Sequence, residues 1–355
     1  MKKLRLFQDM EYILSLILSI VLALIIGALI ILANGKSPIA AYAALINGSL
    51  GSAYKIATTF AKTIPLILTG LATAVAFSSG IFNIGGEGQL YLGAFAAAYV
   101  GFTFTNLPGL IGVPLALVFA AIVGGLYALI PALLKVRLGI DEVITTIMFN
   151  SIATLFTGYL ANYPFASSVG KMGATEMIAP AYKLARLVAR SKLHTGIFFT
   201  ALIALFIYYL MEKTSAGYDF KMIGLNPIFA RYGGISAERN MVIAMVISGA
   251  LCGIAGAFEV LGNHYRFLQA ISPGYAFDGM LISLIVKNNV LGVIFMSVFF
   301  GMLKTGSIAM EYETAIPSEL VSVIQAIIIL FIAGEKGFAK VLRRIYAKEG
   351  AGQDV

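Results

Sequence analysis

The chain has 355 residues, of which 59% are hydrophobic and 12% are charged, and its formal net charge is +8. Soluble domains carry about 25% charged residues, so this composition, with a mean hydropathy of +0.91, excludes a soluble enzyme, a nucleic-acid-binding protein and a disordered chain. One membrane-spanning helix needs ~20 apolar residues. The composition therefore predicts an all-α, polytopic inner-membrane protein with about 10 transmembrane helices.

The apolar segments predict helices in chain order at about 13–33, 58–79, 90–104, 108–133, 142–160, 193–211, 241–262, 275–287, 290–310 and 316–334. Residues 1–12 are predicted to be a cytoplasmic N-terminus, 13–334 a single transmembrane domain, and 335–355 a basic cytoplasmic tail. Residues 34–57 are predicted to be a turn-rich excursion with a short amphipathic helix. The segment 275–287 is short and either spans or re-enters, so the helix count is 9 or 10.

Basic residues indicate which ends of the helices face the cytoplasm. Most of the 25 Lys and Arg residues fall in segments that ten spans would place inside, which suits the positive-inside rule and puts both termini inside. The loop 161–192 is the exception, because the same order places it outside although it is basic. Its cations are Lys171, Lys183, Arg186, Arg190 and Lys192.

Several kinds of chemistry are excluded by residue type. The one cysteine, Cys252, rules out a disulfide, and the two histidines, His194 and His264, lie far apart, so we expect no metal site. Residues 35–37 resemble the end of a Walker A motif, but Ile30 stands where that motif needs glycine. We therefore expect no cofactor in this chain, and no ATP bound by that route.

Charged side chains inside apolar segments mark functional sites or structural partners, because burying them is costly. Glu87 lies in the glycine-rich segment 80–90, which is not ordinary helix. Irregular backbone at membrane depth is tolerated where it lines a cavity or is buried in protein, so this segment is the best pointer to a translocation pathway. The alternative is that Glu87 is an N-terminal charge for the helix that follows.

Four other polar or charged positions have structural interpretations. Glu259 and Lys304 are expected near outer helix ends, where they would snorkel or meet water. Asp278 is expected to be an N-terminal charge for the helix 275–287. Asn150 is expected to make an interhelical hydrogen bond, with pore lining as the alternative.

The glycine row at Gly249, Gly253 and Gly256 predicts close helix packing within the chain, with a dimer seam as the alternative.

The polar segment 212–240 lies between two long predicted spans on the inner side. Pro227 suits a first helical position, so residues 227–232 are predicted to form a short helix that Gly233 and Gly234 end. Such a helix, with aromatic side chains and Arg231, suits docking to a cytoplasmic partner. The alternative is a solvated loop.

At this segment the sequence resembles a known family. The pattern Gly224-x-Asn226-Pro227-x-x-Ala230-Arg231-Tyr232-x-Gly234-Ile235 is similar to the cytoplasmic coupling loop of ABC importer permeases of the branched-chain amino acid and ribose type. Residues 65–71, 82–89 and 273–279 narrow the resemblance to simple-sugar and nucleoside uptake permeases. The likeness spans about 35–335.

The resemblance implies a permease subunit that translocates nucleosides or simple sugars by alternating access and catalyses no bond chemistry. It implies a cytoplasmic ABC ATPase, a second permease subunit, equal or different, and an extracytoplasmic solute-binding protein or lipoprotein. The implied ATPase-docking residues are Gly224, Asn226, Pro227, Ala230, Arg231, Tyr232, Gly234 and Ile235. The predicted pathway residues are Asn83, Glu87, Gln89, Asn150 and Glu259.

Three alternatives stay open at this point. The solute could be ribose, galactose or a branched-chain amino acid. The chain could be an ion-coupled secondary transporter in which Glu87 or Asp278 carries the coupling ion. It could also be a structural membrane subunit without transport.

Overall fold

The computed structural model of the chain describes residue 18 and residues 20–168 and 173–333. Within these ranges the structure is helical, and no β-strand occurs beyond the isolated bridges Ala174–Leu268 and Arg186–His194. The predicted all-α class is confirmed. The predicted N-terminus 1–12 and tail 335–355 lie outside the described residues.

The helices follow the predicted order closely. They are α1 (Ile20–Ala33), α2 (Pro38–Leu50), α3 (Ala53–Ser78), α4 (Gly86–Thr103), α5 (Gly109–Leu138), α6 (Glu142–Asn162), α7 (Gly196–Lys213), α8 (Ser215–Leu225), α9 (Pro227–Tyr232), α10 (Ala237–Phe258), α11 (Tyr275–Ile285), α12 (Val290–Thr314) and α13 (Glu319–Ala333). A 3-10 turn lies at Pro180–Tyr182, and a π-helix at Glu259–His264 continues α10.

Six of the described helices are long and apolar enough to cross a membrane: α3, α5, α6, α7, α10 with its π-helix, and α12. Four more apolar stretches are shorter, namely Ile20–Ala33, Pro38–Leu50, Tyr275–Ile285 and Glu319–Ile328. The chain is thus a multi-pass membrane protein, while the count of 9 or 10 spans stays a prediction.

One helix end differs from its prediction because of its charges. The apolar pattern ends near 133, but α5 continues to Leu138 and places Lys135 and Arg137 in its last turn. Cations are favourable at a helix C-terminus, and Gly139 then adopts the left-handed conformation (φ 68°) that ends the helix.

The chain divides into two compact units, Met1–Ser49 with Leu303–Val355, and Leu50–Met302. In the first unit, the Tyr42 hydroxyl of α2 donates a hydrogen bond of 2.6 Å to the Leu24 carbonyl oxygen. Gly48 packs directly on Ala309 and Gly306. The prediction of one domain over 13–334 stays a prediction.

The central helix of the second unit is α10, which packs against α3, α4 and α5. Small residues allow these backbones to touch: a Cβ on Gly249 would overlap Gly124 of α5, and one on Gly256 would overlap the Leu90 carbonyl oxygen of α4. Gly253 likewise lies against Ala120. The predicted close packing of this glycine row within the chain is therefore confirmed.

Candidate functional site

The chain breaks its helical course between α3 and α4. Ser79 caps α3, Gly80 adopts φ +73°, and the backbone stays non-helical until α4 begins at Gly86. The prediction of irregular backbone is confirmed for 80–85, whereas residues 86–89 form the first turn of α4. We call residues 79–85 the break.

Asn83 and Gln89 close the break with a reciprocal pair of amide hydrogen bonds. Asn83 Nδ2 donates to Gln89 Oε1 at 2.9 Å, and Gln89 Nε2 donates to Asn83 Oδ1 at 3.0 Å. Asn83 Nδ2 also donates to Ser248 Oγ of α10 at 2.9 Å. Both amides are buried, so this network holds the break against α4 and α10.

Asn150 of α6 holds the other side of the break. Its Oδ1 accepts a hydrogen bond of 2.7 Å from the Gly88 N–H, and its Nδ2 donates 2.8 Å to the Ile84 carbonyl oxygen. One buried amide thus satisfies a donor in the first turn of α4 and an acceptor in the break, groups that have no intrahelical partner. The predicted interhelical hydrogen bonding of Asn150 is confirmed.

Glu87 connects two helix N-termini. It lies in the first turn of α4, as the alternative interpretation expected, and its Oε2 accepts a hydrogen bond of 3.0 Å from the Ala276 N–H in the first turn of α11. A carboxylate is favoured at the N-terminus of a helix because the helix dipole is positive there. Glu87 is therefore placed to stabilise both α4 and α11.

Tyr275, the first residue of α11, is the meeting point of the acidic side chains. It is buried and lies within electrostatic reach of Glu259, Asp278 and Glu87. Its carbonyl oxygen accepts a hydrogen bond of 3.0 Å from the Thr69 hydroxyl of α3. Asp278 lies in the first turn of α11, as predicted.

The expectation that Glu259 meets water is wrong. Its side chain is only 2% exposed, and both carboxylate oxygens accept hydrogen bonds from Asn263 Nδ2, at 2.9 and 3.0 Å. The physical reason is that the helical path does not stop where α10 ends at Phe258: the π-helix carries the chain onward, and the loop before α7 packs over it. Lys304 is half-buried on α12.

The five predicted pathway residues are therefore not all together. Asn83, Gln89 and Asn150 surround the break, and Glu87 lies in the turn that follows it. Glu259 lies on the π-helix, where Asn263 of the same helix donates hydrogen bonds to its carboxylate. What links it to Glu87 is their common neighbour Tyr275.

The short helix that was predicted within the polar segment 212–240 is confirmed. It is α9, and it has the predicted bounds, Pro227–Tyr232. Asn226 caps it, because Asn226 Oδ1 accepts hydrogen bonds of 3.0 Å from the backbone N–H groups of Ile228 and Phe229. Gly234, with φ +81°, follows its end. The preceding helix α8 was not predicted.

The side chains of α9 divide into two faces. Ile228, Phe229 and Tyr232 are 65%, 60% and 89% exposed, an apolar surface typical of a docking site. Arg231 is also exposed and forms a salt bridge with Glu238. Ala230, however, is 1% exposed and packs inward.

The predicted docking role of Ala230 therefore needs correction. Ala230 belongs to a small core with Ile223 and Ala237, and Ile235 packs against that core. A buried methyl group supports the helix and cannot reach a partner. The other predicted docking residues stay predictions.

Gly224 connects this segment to the break. A Cβ at Gly224 would overlap the Ser78 carbonyl oxygen, and the Gly80 nitrogen lies 3.4 Å from the same position. The last turn of α8 therefore rests directly on the backbone where α3 ends and the break begins.

Two members of the site were missed in the sequence, Ser248 and Thr69. Ser248 had a signal: it stands four residues before Cys252 and eight before Gly256, on the row of small residues that faces α4. Thr69 had no such signal, because its bond to Tyr275 joins residues 206 positions apart.

Comparison with known proteins gives a consistent result. A family model described as "Branched-chain amino acid transport system / permease component" matches residues 55–333. The chain is 38% identical over 347 residues to the guanosine ABC transporter permease protein of Bacillus subtilis, covering 97% of this chain and 99% of the relative. No solved structure matches the chain significantly.

Two further relatives are similar over most of their length. The chain is 34% identical to a nucleoside ABC transporter permease protein of Lactococcus lactis, covering 89% of each chain. It is 29% identical to a glucose ABC transporter permease protein of Haloferax volcanii, covering 91% of this chain and 88% of the relative.

Proposed function

The chain belongs to the branched-chain amino acid transport system / permease component family, and from that premise we propose that it is the permease subunit of a nucleoside importer. As a member of this family it is a membrane transport component and not an enzyme. The observation that supports nucleosides is the similarity along nearly the whole chain to the permeases for guanosine and for nucleosides. A simple sugar is the second candidate, supported by the glucose permease relative.

Our proposal includes three partners and a location. A cytoplasmic ABC ATPase docks on α9 and supplies the ATP hydrolysis, a second permease subunit completes the pathway, and an extracytoplasmic binding protein or lipoprotein delivers the solute. The complex lies in the cytoplasmic membrane with both termini inside. The exposed apolar face of α9 supports the ATPase contact, because a surface of this kind is typical of an interaction site.

The proposed mechanism passes from α9 to the break. ATP binding moves α9, and α8 transmits this movement to the end of α3 because Gly224 rests on Ser78 and Gly80. The break can respond as a unit because Asn83, Gln89 and Asn150 tie it to three helices. Each state opens the pathway to one side, and nucleotide binding shifts the population between them.

The polar groups around the break suit a nucleoside. Asn, Gln and Glu side chains can exchange their present hydrogen bonds for bonds to base amides and ribose hydroxyls. Phe82, also in the break, is 45% exposed and contacts Phe77 edge to face at 4.8 Å. Its exposed surface can stack on a base.

Reconstituted transport tests the proposal. The chain is purified with its copurifying ATPase and second permease subunit, reconstituted in proteoliposomes with the binding protein, and given radiolabelled guanosine, ribose and glucose. We expect guanosine uptake that needs ATP and the ATPase. Uptake by this chain alone, driven by a proton or sodium gradient, would establish the secondary-transporter alternative instead. ATP-driven uptake of glucose without guanosine would assign the second candidate.

A further inference from the structure

The loop between α6 and α7 is built as an ordered strap. We call residues 173–195 the strap; apart from its 3-10 turn it has no helix, yet its backbone bonds to the segment after α10. These bonds run from Leu184 N to Leu261 O (3.0 Å), Ile178 N to Tyr265 O (2.9 Å), Thr175 N to Phe267 O (3.1 Å) and Gln269 N to Gly173 O (2.7 Å). The strap therefore presents its side chains from fixed positions.

The strap and α9 lie at opposite ends of α10. The segment after α9 leads into α10 at Ala237, and the strap bonds to residues that follow the end of α10 at Phe258. A helix of 22 residues spans ~33 Å, the thickness of the hydrocarbon core of a bilayer. If α9 faces the cytoplasm, the strap faces outside.

The strap surface is strongly basic. Lys183, Arg186, Arg190 and Lys192 are exposed, and Arg266 lies partly exposed on the segment that the strap covers. Glu176 is the one acidic residue in the strap. Among the described residues, no salt bridge involves any of these five cations.

Tyr265 holds two of these cations at its ring. Lys183 Nζ lies 5.0 Å from the centre of the Tyr265 ring and the Arg186 guanidinium lies 5.8 Å from it. Arg186 Nε also donates a hydrogen bond of 3.2 Å to the Tyr265 hydroxyl. Two cations held at one ring make this part of the strap positive, which favours the arrival of an opposite charge.

The position of these cations is also unfavourable for membrane insertion. Lys and Arg are normally retained on the cytoplasmic side, yet the strap keeps four exposed cations at the end opposite α9. Because basic residues are concentrated here against this preference, an acidic partner at this end would offset their mutual repulsion.

We propose that the strap is the docking surface for an acidic face of the solute-binding protein. This inference rests on the proposed function. Exposed arginines on an ordered loop match carboxylates of a folded protein, because the planar guanidinium fork pairs with a carboxylate through two parallel hydrogen bonds. Such complementarity steers association and makes it sensitive to salt.

Binding measurements test this docking surface. The assembled importer is placed in nanodiscs of phosphatidylcholine, and the purified binding protein is titrated onto it at 20 to 300 mM NaCl. For the triple variant K183E/R186E/R190E we expect binding at low salt to weaken at least tenfold and the salt dependence to flatten. The variant K36E is the matched control, because Lys36 is exposed and lies outside the strap; we expect wild-type affinity.

A second variant separates the effect of lost charge from an effect of misfolding. K183Q/R186Q/R190Q removes the charges without adding acids, and we expect it to weaken binding severalfold with an unchanged unfolding temperature. Uptake at saturating binding protein should recover in this variant, since only docking is impaired. Wild-type affinity in both triple variants would overturn the proposal.

Two other outcomes can be told apart from a loss of binding-protein docking. An effect of the variants that appears only in nanodiscs containing phosphatidylglycerol, with unchanged affinity for the binding protein, would assign the strap to anionic lipid and overturn the proposal. Absence of ATP-driven uptake by the wild-type complex would refute the proposed function, whereas wild-type uptake with unchanged binding by the variants refutes the strap alone.

Discussion

Gly224 rests on Ser78 so closely that a Cβ on Gly224 would overlap the Ser78 carbonyl oxygen. This contact joins the last turn of α8 to the end of α3, and α3 leads directly into the break. In the proposed mechanism it is the step by which a movement of α9 reaches the polar site.

We predict that Gly224→Ala lowers ATP-driven uptake about tenfold while the protein still inserts and assembles. The added methyl group must push α8 away from Ser78, because backbone atoms cannot yield as a flexible side chain can. Gly158→Ala is the control: its Cβ would approach no closer than 3.3 Å, and only to the side-chain end of Gln269, not to backbone. Uptake per ATP hydrolysed is the measurement, and equal values for both variants would exclude Gly224 from coupling.

We predict that Asn150→Leu lowers the free energy of unfolding by about 3 kcal/mol. It leaves the buried Gly88 N–H and Ile84 carbonyl without their partner, and each unsatisfied group costs roughly 1–3 kcal/mol. Thr154→Val is the control, because the Thr154 hydroxyl bonds only within α6. Denaturation in detergent should separate these variants; equal losses for Asn150→Leu and Thr154→Val would contradict the bridging role.

We predict that Arg231→Glu uncouples ATP hydrolysis from uptake while membrane insertion stays normal. Arg231 is exposed on α9 and pairs with Glu238, so the loss of this internal pair must be separated from the loss of an ATPase contact. The double variant R231E/E238R restores an internal pair with reversed charges. We expect it to stay uncoupled; recovery of coupling would mean that Arg231 acts only within the segment.

We predict that the strap loosens in mild acid because of His194. Burial lowers the pKa of His194 to about 4, and its Nδ1 accepts a hydrogen bond of 3.1 Å from the Gly196 N–H. An unfolded histidine binds a proton below about pH 6.5, so stability is present above that pH and decreases as the pH falls towards 4. At pH 5 the free energy of local opening should be about 2 kcal/mol smaller than at pH 7.

Hydrogen exchange of residues 184–196, corrected for intrinsic rates, measures this opening. His194→Asn keeps an acceptor for Gly196 but does not titrate, so its opening free energy should not change between pH 7 and pH 5. An equal pH effect in that variant would assign the loosening to another group.

We predict that Ser168→Cys is labelled by a membrane-impermeant maleimide in intact cells. Ser168 is exposed and precedes the strap, while the native Cys252 is buried and should give little background. Tyr232→Cys on α9 should react only after permeabilisation. Labelling of Ser168→Cys only after permeabilisation would contradict the ten-helix topology and the outward position of the strap.

Features encoded within a few neighbouring residues were predictable. The bounds of α9 follow from Asn226, Pro227 and the two glycines after it, because capping and helix ending are local interactions. The break likewise follows from its glycines. The packing of the Gly249 row follows from spacing on one helix, because small residues at intervals of three and four form one face.

The sequence by itself therefore determined the all-α membrane class, the break and the short helix α9, since apolar runs, glycines and caps act locally. Only the tertiary structure decided that Asn150 bonds to Gly88 and Ile84 and that Glu87 accepts a hydrogen bond from the first turn of α11. The same is true of the burial of Glu259 and Ala230. These contacts join distant residues or depend on which face of a helix is covered. They follow from how the helices pack, which no local pattern specifies.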